Sequence, residues 1–162
     1  MPISEAARRL PPETVYVRPS MERYARVSRQ IMEVLGTLAP VVEKISIDEA
    51  FMDMSGTGRL YGTPEDAGNR IKDQVRTKTG LSLSIGIAAN HYLAKLASEY
   101  CKPDGLYFVQ SGQEIPFLDR LTLGSLWGVG EKTRQRLAEL NITSIQALRD
   151  VPLDILRSMM GE

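Results

Sequence analysis

Cysteine is almost absent from this 162-residue chain: Cys101 stands alone, so no internal disulfide can form. That suits a reducing compartment. Net charge is absent too, because 20 basic and 20 acidic side chains cancel. An overall basic field is thereby excluded as a means of drawing in nucleic acid, while local basic clusters remain open. No apolar run approaches the roughly 18 residues of a membrane span, and the first ten residues lack a signal-peptide core. The expectation is a soluble, cytoplasmic protein with no membrane partner. Aromatics are sparse at 6% and lie mostly at core spacing, which gives no base-stacking platform. There are no internal repeats or low-complexity tracts. What remains, 43% hydrophobic and 25% charged, is ordinary globular composition and enough to bury a core.

The pattern along the chain alternates between periods. A short helix over residues 3–10 ends at Pro11-Pro12, and Val15-Tyr16-Val17 reads as a short strand. Ser20 caps a helix to about Leu38, with Tyr24, Val27, Ile31 and Leu35 at helical spacing. Strands are expected at 41–47 and 50–54. Thr63-Pro64-Glu65-Asp66 starts a helix that carries Ala67, Ile71 and Val75 on one face and stops at Gly80. Residues 81–88 alternate Leu81, Leu83, Ile85 and Ile87 with Ser82, Ser84 and Gly86; the small face invites close approach by another element. Asn90 caps the next helix, Lys102-Pro103-Asp104-Gly105 is a turn, and 106–109 is a strand. Together these predict an α+β fold with helices on one face of a mostly antiparallel sheet. The tail from about residue 113 is all helical, which puts a domain boundary near 110–122.

Two stretches carry chemistry. Ser46-Ile-Asp-Glu-Ala-Phe51 sets Asp48 beside Glu49 between apolar runs. Adjacent carboxylates repel, and a divalent cation is the common remedy; Mg²⁺ takes carboxylate oxygens, water and phosphates. In a regular strand the two would point to opposite faces, so they can converge only at a hairpin tip or bulge. A solvated acidic turn is the plainer reading of the dipeptide by itself. The second stretch is Gly128-Val129-Gly130 before a helix, with Lys132, Arg134 and Arg136 nearby. Amides at such a turn can hold a phosphate with help from the helix dipole. An isolated glycine turn is the plain alternative. Leu137, Leu140, Ile142, Ile145 and Leu148 add the small core of a helix-hairpin-helix, and Asn141 stands where a left-handed residue is needed. Such a motif grips the DNA backbone and reads no bases.

Ser46 to Phe51 closely resembles the second catalytic motif of the Y-family, or translesion, DNA polymerases. Gly86-Ile-Ala-Ala-Asn90, Leu93 to Ser98, Lys102-Pro-Asp-Gly105 and the Gly128–Gly130 hairpin are similar to further motifs of that family, in the same order. The pattern is nearest the DNA polymerase IV, or DinB-like, branch of the impB/mucB/samB group, with the mutagenesis-operon relatives as second choice. The resemblance implies a palm-type, ferredoxin-like sheet followed by a small helical thumb. It implies a fingers remnant at 1–19, an incomplete palm at 20–110 and an incomplete thumb at 111–162. It assigns Asp48 and Glu49 to catalysis through a two-Mg²⁺ site completed by a missing acid. Lys102 goes to the nucleotide triphosphate, and Gly128, Val129, Gly130, Lys132 and Arg134 to DNA. Ser46 supports the site, His91 is a surface residue, and Lys95 lies on an exposed helix face near DNA or paired with Glu99. The implied partners are primer-template DNA and deoxynucleoside triphosphates, with a sliding clamp for the full-length protein and a dimer through an exposed sheet edge. The resemblance also implies that this chain, lacking a first palm strand, is nearly inactive alone. Two other functions compete: a non-catalytic DNA-binding module built on the hairpin, and a protein-interaction remnant.

Overall fold

The protein is described here by a computed structural model covering residues 1–160. The chain opens with α1 (Ile3–Arg9), which buries none of its residues and is braced by a Glu5–Arg9 pair one turn apart at 2.5 Å. Residues 15–17 are not a strand: they stand exposed outside any ladder, with Val15 and Val17 each 81% exposed. Three β-formers cannot hold a strand without a neighbour to pair with.

Ser20 caps α2 (Met21–Gly36) as the sequence indicates, accepting from the Arg23 N–H at 3.4 Å. Thr63 and Asp66 form a reciprocal capping box on α4 (Pro64–Thr79), and Gly80 closes it in the left-handed conformation. Between these helices lie β1 (Val41–Lys44), β2 (Ala50–Asp53) and a one-turn α3 (Gly58–Tyr61). Leu35 and Leu38 meet Ile71 and Val75 in one core, and Val42, Ala50, Met52 and Ile85 pack onto it.

β1 and β2 pair antiparallel, Val42 opposite Met52. β3 (Ile85–Ile87), α5 (His91–Tyr100) and β4 (Leu106–Phe108) follow, and β3 pairs with β4 in parallel. The expectation of a mostly antiparallel sheet is therefore corrected: the described residues form one antiparallel and one parallel pair in two sheets. The cause is connectivity, since two strands joined through a single crossover helix must run the same way. β3 is also shorter than the alternation at 81–88 suggests. Its partner begins only at Leu106, after the turn at 102–105, so Leu81–Ser84 have no ladder to join.

The small face of β3 does admit a close neighbour. A Cβ on Gly86 would lie 2.0 Å from the Ala94 carbonyl oxygen and 2.4 Å from the Ser98 nitrogen, so α5 rests its backbone on that glycine. Leu93, Leu96 and Ala97 of α5 form a second core with Val109 and Phe117, Ala97 also lying against Gly86.

The tail contains α6 (Glu114–Leu118), a 3₁₀ turn at Leu123–Ser125, α7 (Glu131–Glu139), α8 (Ile145–Arg149) and α9 (Leu153–Met160). Leu123, Leu137, Ile142 and Ile145 form the third core. Leu118, Leu121 and Leu126 pack against both this core and that of α5. α7 ends in a Schellman motif: Ile142 N–H donates to Leu137 O, Asn141 N–H donates to Ala138 O, and Asn141 takes φ +59.

Candidate active site

The acidic doublet stands where β1 turns into β2. The last ladder pair is Lys44 with Ala50, so Ile45–Glu49 form a five-residue connection. The carbonyl of Glu49 accepts from the N–H groups of both Ile45 and Ser46, at 3.0 and 3.2 Å. That arrangement ends strand alternation before Asp48, which is the condition for neighbouring side chains to face one way. Ser46 Oγ donates to Asp48 Oδ1 at 2.6 Å and lies 3.3 Å from the Asp48 N–H. Asp48 is exposed and Glu49 half-buried.

One stripe of α5 faces this connection. His91, Lys95, Ser98 and Lys102 recur at helical spacing, the last just past the helix end. The His91 ring stacks on Phe51 at 4.3 Å and 8°, next to the doublet; His91 is a surface residue, but it has a fixed partner. Lys95 corrects its expectation. Its ammonium lies 2.5 Å from Glu49 Oε1 with the side chain only 17% exposed, and Glu99 pairs with Lys102 at 2.6 Å instead. The hydrogen bond that Lys102 donates to Glu99 strengthens its hold on its proton, and the charges of Glu99, Glu49 and Asp48 add to it. The turn and the start of β2 meet α5 through Glu49 on Lys95 and Phe51 on His91. Cys101, beside Lys102, is a structural thiol: burial pushes it up, away from the reactive thiolate.

The turn carrying Lys102 is fastened from behind. Asp104, at φ +49, takes ion pairs from Lys72, at 3.0 Å, and from Arg76, both on α4. Sequence reasoning did not find these two anchors, since nothing local joins residues 72 and 104.

Along α5, Glu49 is thus paired with Lys95 and Glu99 with Lys102, while Asp48 accepts from Ser46. Carboxylate oxygens are the hard donors a divalent cation takes, and Lys95 shows that a cation can sit at Glu49. Among the described residues, no group of three or more acidic, histidine or cysteine side chains comes together in metal-binding fashion.

The hairpin lies beyond the third core. Gly128 has φ +92, a conformation open to glycine, and Gly130 caps α7 with no side-chain hydrogen bond over the helix amides. Lys132 is exposed on the first turn. Arg134 is held by Glu131 at 2.6 Å, with Glu131 also accepting from Gln135, so Arg134 already has an anionic partner. Trp127 joins the two regions. Its ring lies 5.6 Å from Lys95 Nζ and stacks with Tyr92 at 6.3 Å.

Residues 1–99 match the family described as impB/mucB/samB. This chain belongs to that family. DNA polymerase IV of Treponema denticola is 40% identical over 99% of the chain, and that of Streptomyces coelicolor is 40% identical over all of it. The chain spans only 40% and 34% of those two proteins. Among solved structures, DinB from Sulfolobus solfataricus superposes with a TM-score of 0.89 at 28% identity, covering 100% of this chain and 48% of that one. An insertion ternary complex of Dbh DNA polymerase gives 0.86 at 29% identity, covering 100% and 47%. The impB/mucB/samB membership agrees with the Y-family resemblance of the motifs and with the α+β, palm-like fold. No helix among the described residues is long and apolar enough to cross a membrane.

Proposed function

We propose that this chain is the palm-and-thumb part of a template-directed DNA polymerase that works across damaged template. The observation that carries the reading is the turn bearing Asp48 and Glu49 seated against α5, where Lys95 meets Glu49 at 2.5 Å and His91 stacks on Phe51, with Lys102 just past the end of that helix. Asp48 and Glu49 hold Mg²⁺, with a further acid supplied from outside these 162 residues. Bound there, Mg²⁺ supplies activation of a primer 3′-hydroxyl and neutralisation of the pyrophosphate leaving group.

The protein's own residues do the rest. Ser46 fixes the rotamer of Asp48, and Lys95 holds Glu49 in place until its charge is met by the metal. Lys102 exchanges Glu99 for the triphosphate of an incoming deoxynucleotide, acting as a point charge on a turn that Asp104 anchors. The Gly128–Val129–Gly130 turn, with Lys132 and Arg134, holds the DNA backbone and sets its register without reading sequence; the Gly130 and Glu131 amides face the phosphate, since the Val129 N–H is given to Leu126 O. The division into 1–19, 20–110 and 111–162 follows this reading. A two-stranded sheet is marginal by itself, so the open edges are places for a strand from outside this chain or from a second copy.

The test is a graft. These residues replace the matching segment of the Treponema denticola relative, and primer extension is followed with Mg²⁺ and four deoxynucleotides. Extension is expected, with Asp48→Ala or Glu49→Ala lowering it by orders of magnitude and Lys102→Ala raising KM for the nucleotide. The isolated chain is expected to extend poorly. Full extension by the Asp48→Ala graft would refute the assignment.

A further inference from the structure

Lys95 sits between two partners that the reaction chemistry does not connect. Its ammonium is 2.5 Å from Glu49 Oε1 and 5.6 Å from the centre of the Trp127 ring. The second distance already falls within the roughly 6 Å reach of a cation over an aromatic face, so the ammonium is shared between the carboxylate and the ring and can close further on the ring. Glu99, one turn along α5 and the obvious alternative acceptor, is already paired with Lys102. Tyr92 backs Trp127, and Gly128 follows it with φ +92. Lys95, Glu99, Trp127, Gly124 and Ser125 line one cleft of about 430 Å³, so the lysine stem has room to swing.

We infer that Lys95 is a positioning residue with two seats. It is drawn toward the Glu49 carboxylate when that group has no other cation, and it closes from its present 5.6 Å onto the face of Trp127 when Glu49 is otherwise neutralised. The state of the acidic doublet is thereby passed to the turn that begins the Gly128–Gly130 hairpin. The inference rests on the functional reading above only for what neutralises Glu49; the coupling itself needs no metal.

Trp127 is the sole tryptophan, so its emission reports the second seat directly. The experiment uses this chain without DNA. Glu49→Gln frees the ammonium, which then closes on the ring and quenches it, so emission falls. Lys95→Met raises emission and abolishes the effect of Glu49→Gln; Lys95→Arg restores it. A merely structural lysine would change stability without making the response to Glu49→Gln conditional on its charge. Should Lys95→Met fail to fold, Glu49→Gln and Glu49→Ala decide, because both must lower emission alike while Lys95 is present. Unchanged emission in Glu49→Gln, or an equal change with and without Lys95, overturns the inference. Mg²⁺ added alone should reproduce the Glu49→Gln change. If the substitution quenches Trp127 and Mg²⁺ does not, the coupling stands and the metal-site reading falls.

Discussion

Gly86 lies directly beneath the Ala94 carbonyl, so close that a Cβ would come within 2.0 Å of the oxygen. The helix that carries Lys95 and leads to Lys102 is set by that contact. Gly86→Ala must push α5 off β3, and backbone cannot yield as a flexible side chain can. The substitution is expected to destabilise the fold by about 1–3 kcal/mol, as overpacking does, measured by urea denaturation. It should also move the α5 stripe away from the doublet and weaken the Lys95–Glu49 pair. Wild-type stability in the variant would show that α5 sits higher than described.

Asp104 gives the fold a pH dependence of known sign. Hydrogen bonding from Lys72, then the Arg76 contact and both charges, hold its carboxyl below the usual range. A depressed folded value means the ion pairs contribute stability above the unfolded value of about 3.9. That contribution fades as pH falls through the folded value. Wild type should therefore exceed Asp104→Asn in stability at neutral pH. The two should converge on acidification, and the gap should narrow with added salt because the groups are partly exposed. Denaturation curves across the acid range check this. A gap that persists unchanged in strong acid would mean that the turn is held by something other than these charges.

Two of the hairpin's basic residues, Lys132 and Arg134, are predicted to behave differently. Lys132 is exposed, whereas Arg134 must leave Glu131 to reach a phosphate. Lys132→Ala should weaken binding of any duplex sequence and lower the salt slope by about 1. Arg134→Ala should cost less, and Glu131→Gln should strengthen binding by removing the competing anion. Fluorescence anisotropy over a salt series reads all three. Weaker binding by Glu131→Gln would show that the pair presents the hairpin to DNA and does not compete with it.

Much of this architecture is written locally. Ser20, the Thr63–Asp66 box, Gly80 and Asn141 each announce a helix end through a hydrogen bond or backbone conformation within a few residues. The small face of 82–86 foretells the close helix for the same reason. Strand extent was not legible, because residues 15–17 and 81–84 have strand character and lack a partner. The parallel sense of β3 and β4 follows from the crossover and not from their alternation. The doublet and Lys102 are visible as motif, yet the Lys95–Glu49 pair joins residues 46 apart and depends on how α5 seats on Gly86. Its only local trace is the stripe His91, Lys95, Ser98, Lys102. Asp104 with Lys72 and Arg76 leaves no local trace at all.

The central claim is that Asp48 and Glu49 bind a divalent cation together. Adding Mn²⁺ to the isotope-labelled chain and mapping paramagnetic broadening of its amide resonances tests this most directly. The account predicts broadening centred on residues 46–50 and reaching Lys102, lost in both Asp48→Asn and Glu49→Gln. Broadening that is centred elsewhere, or that survives both substitutions, would contradict it.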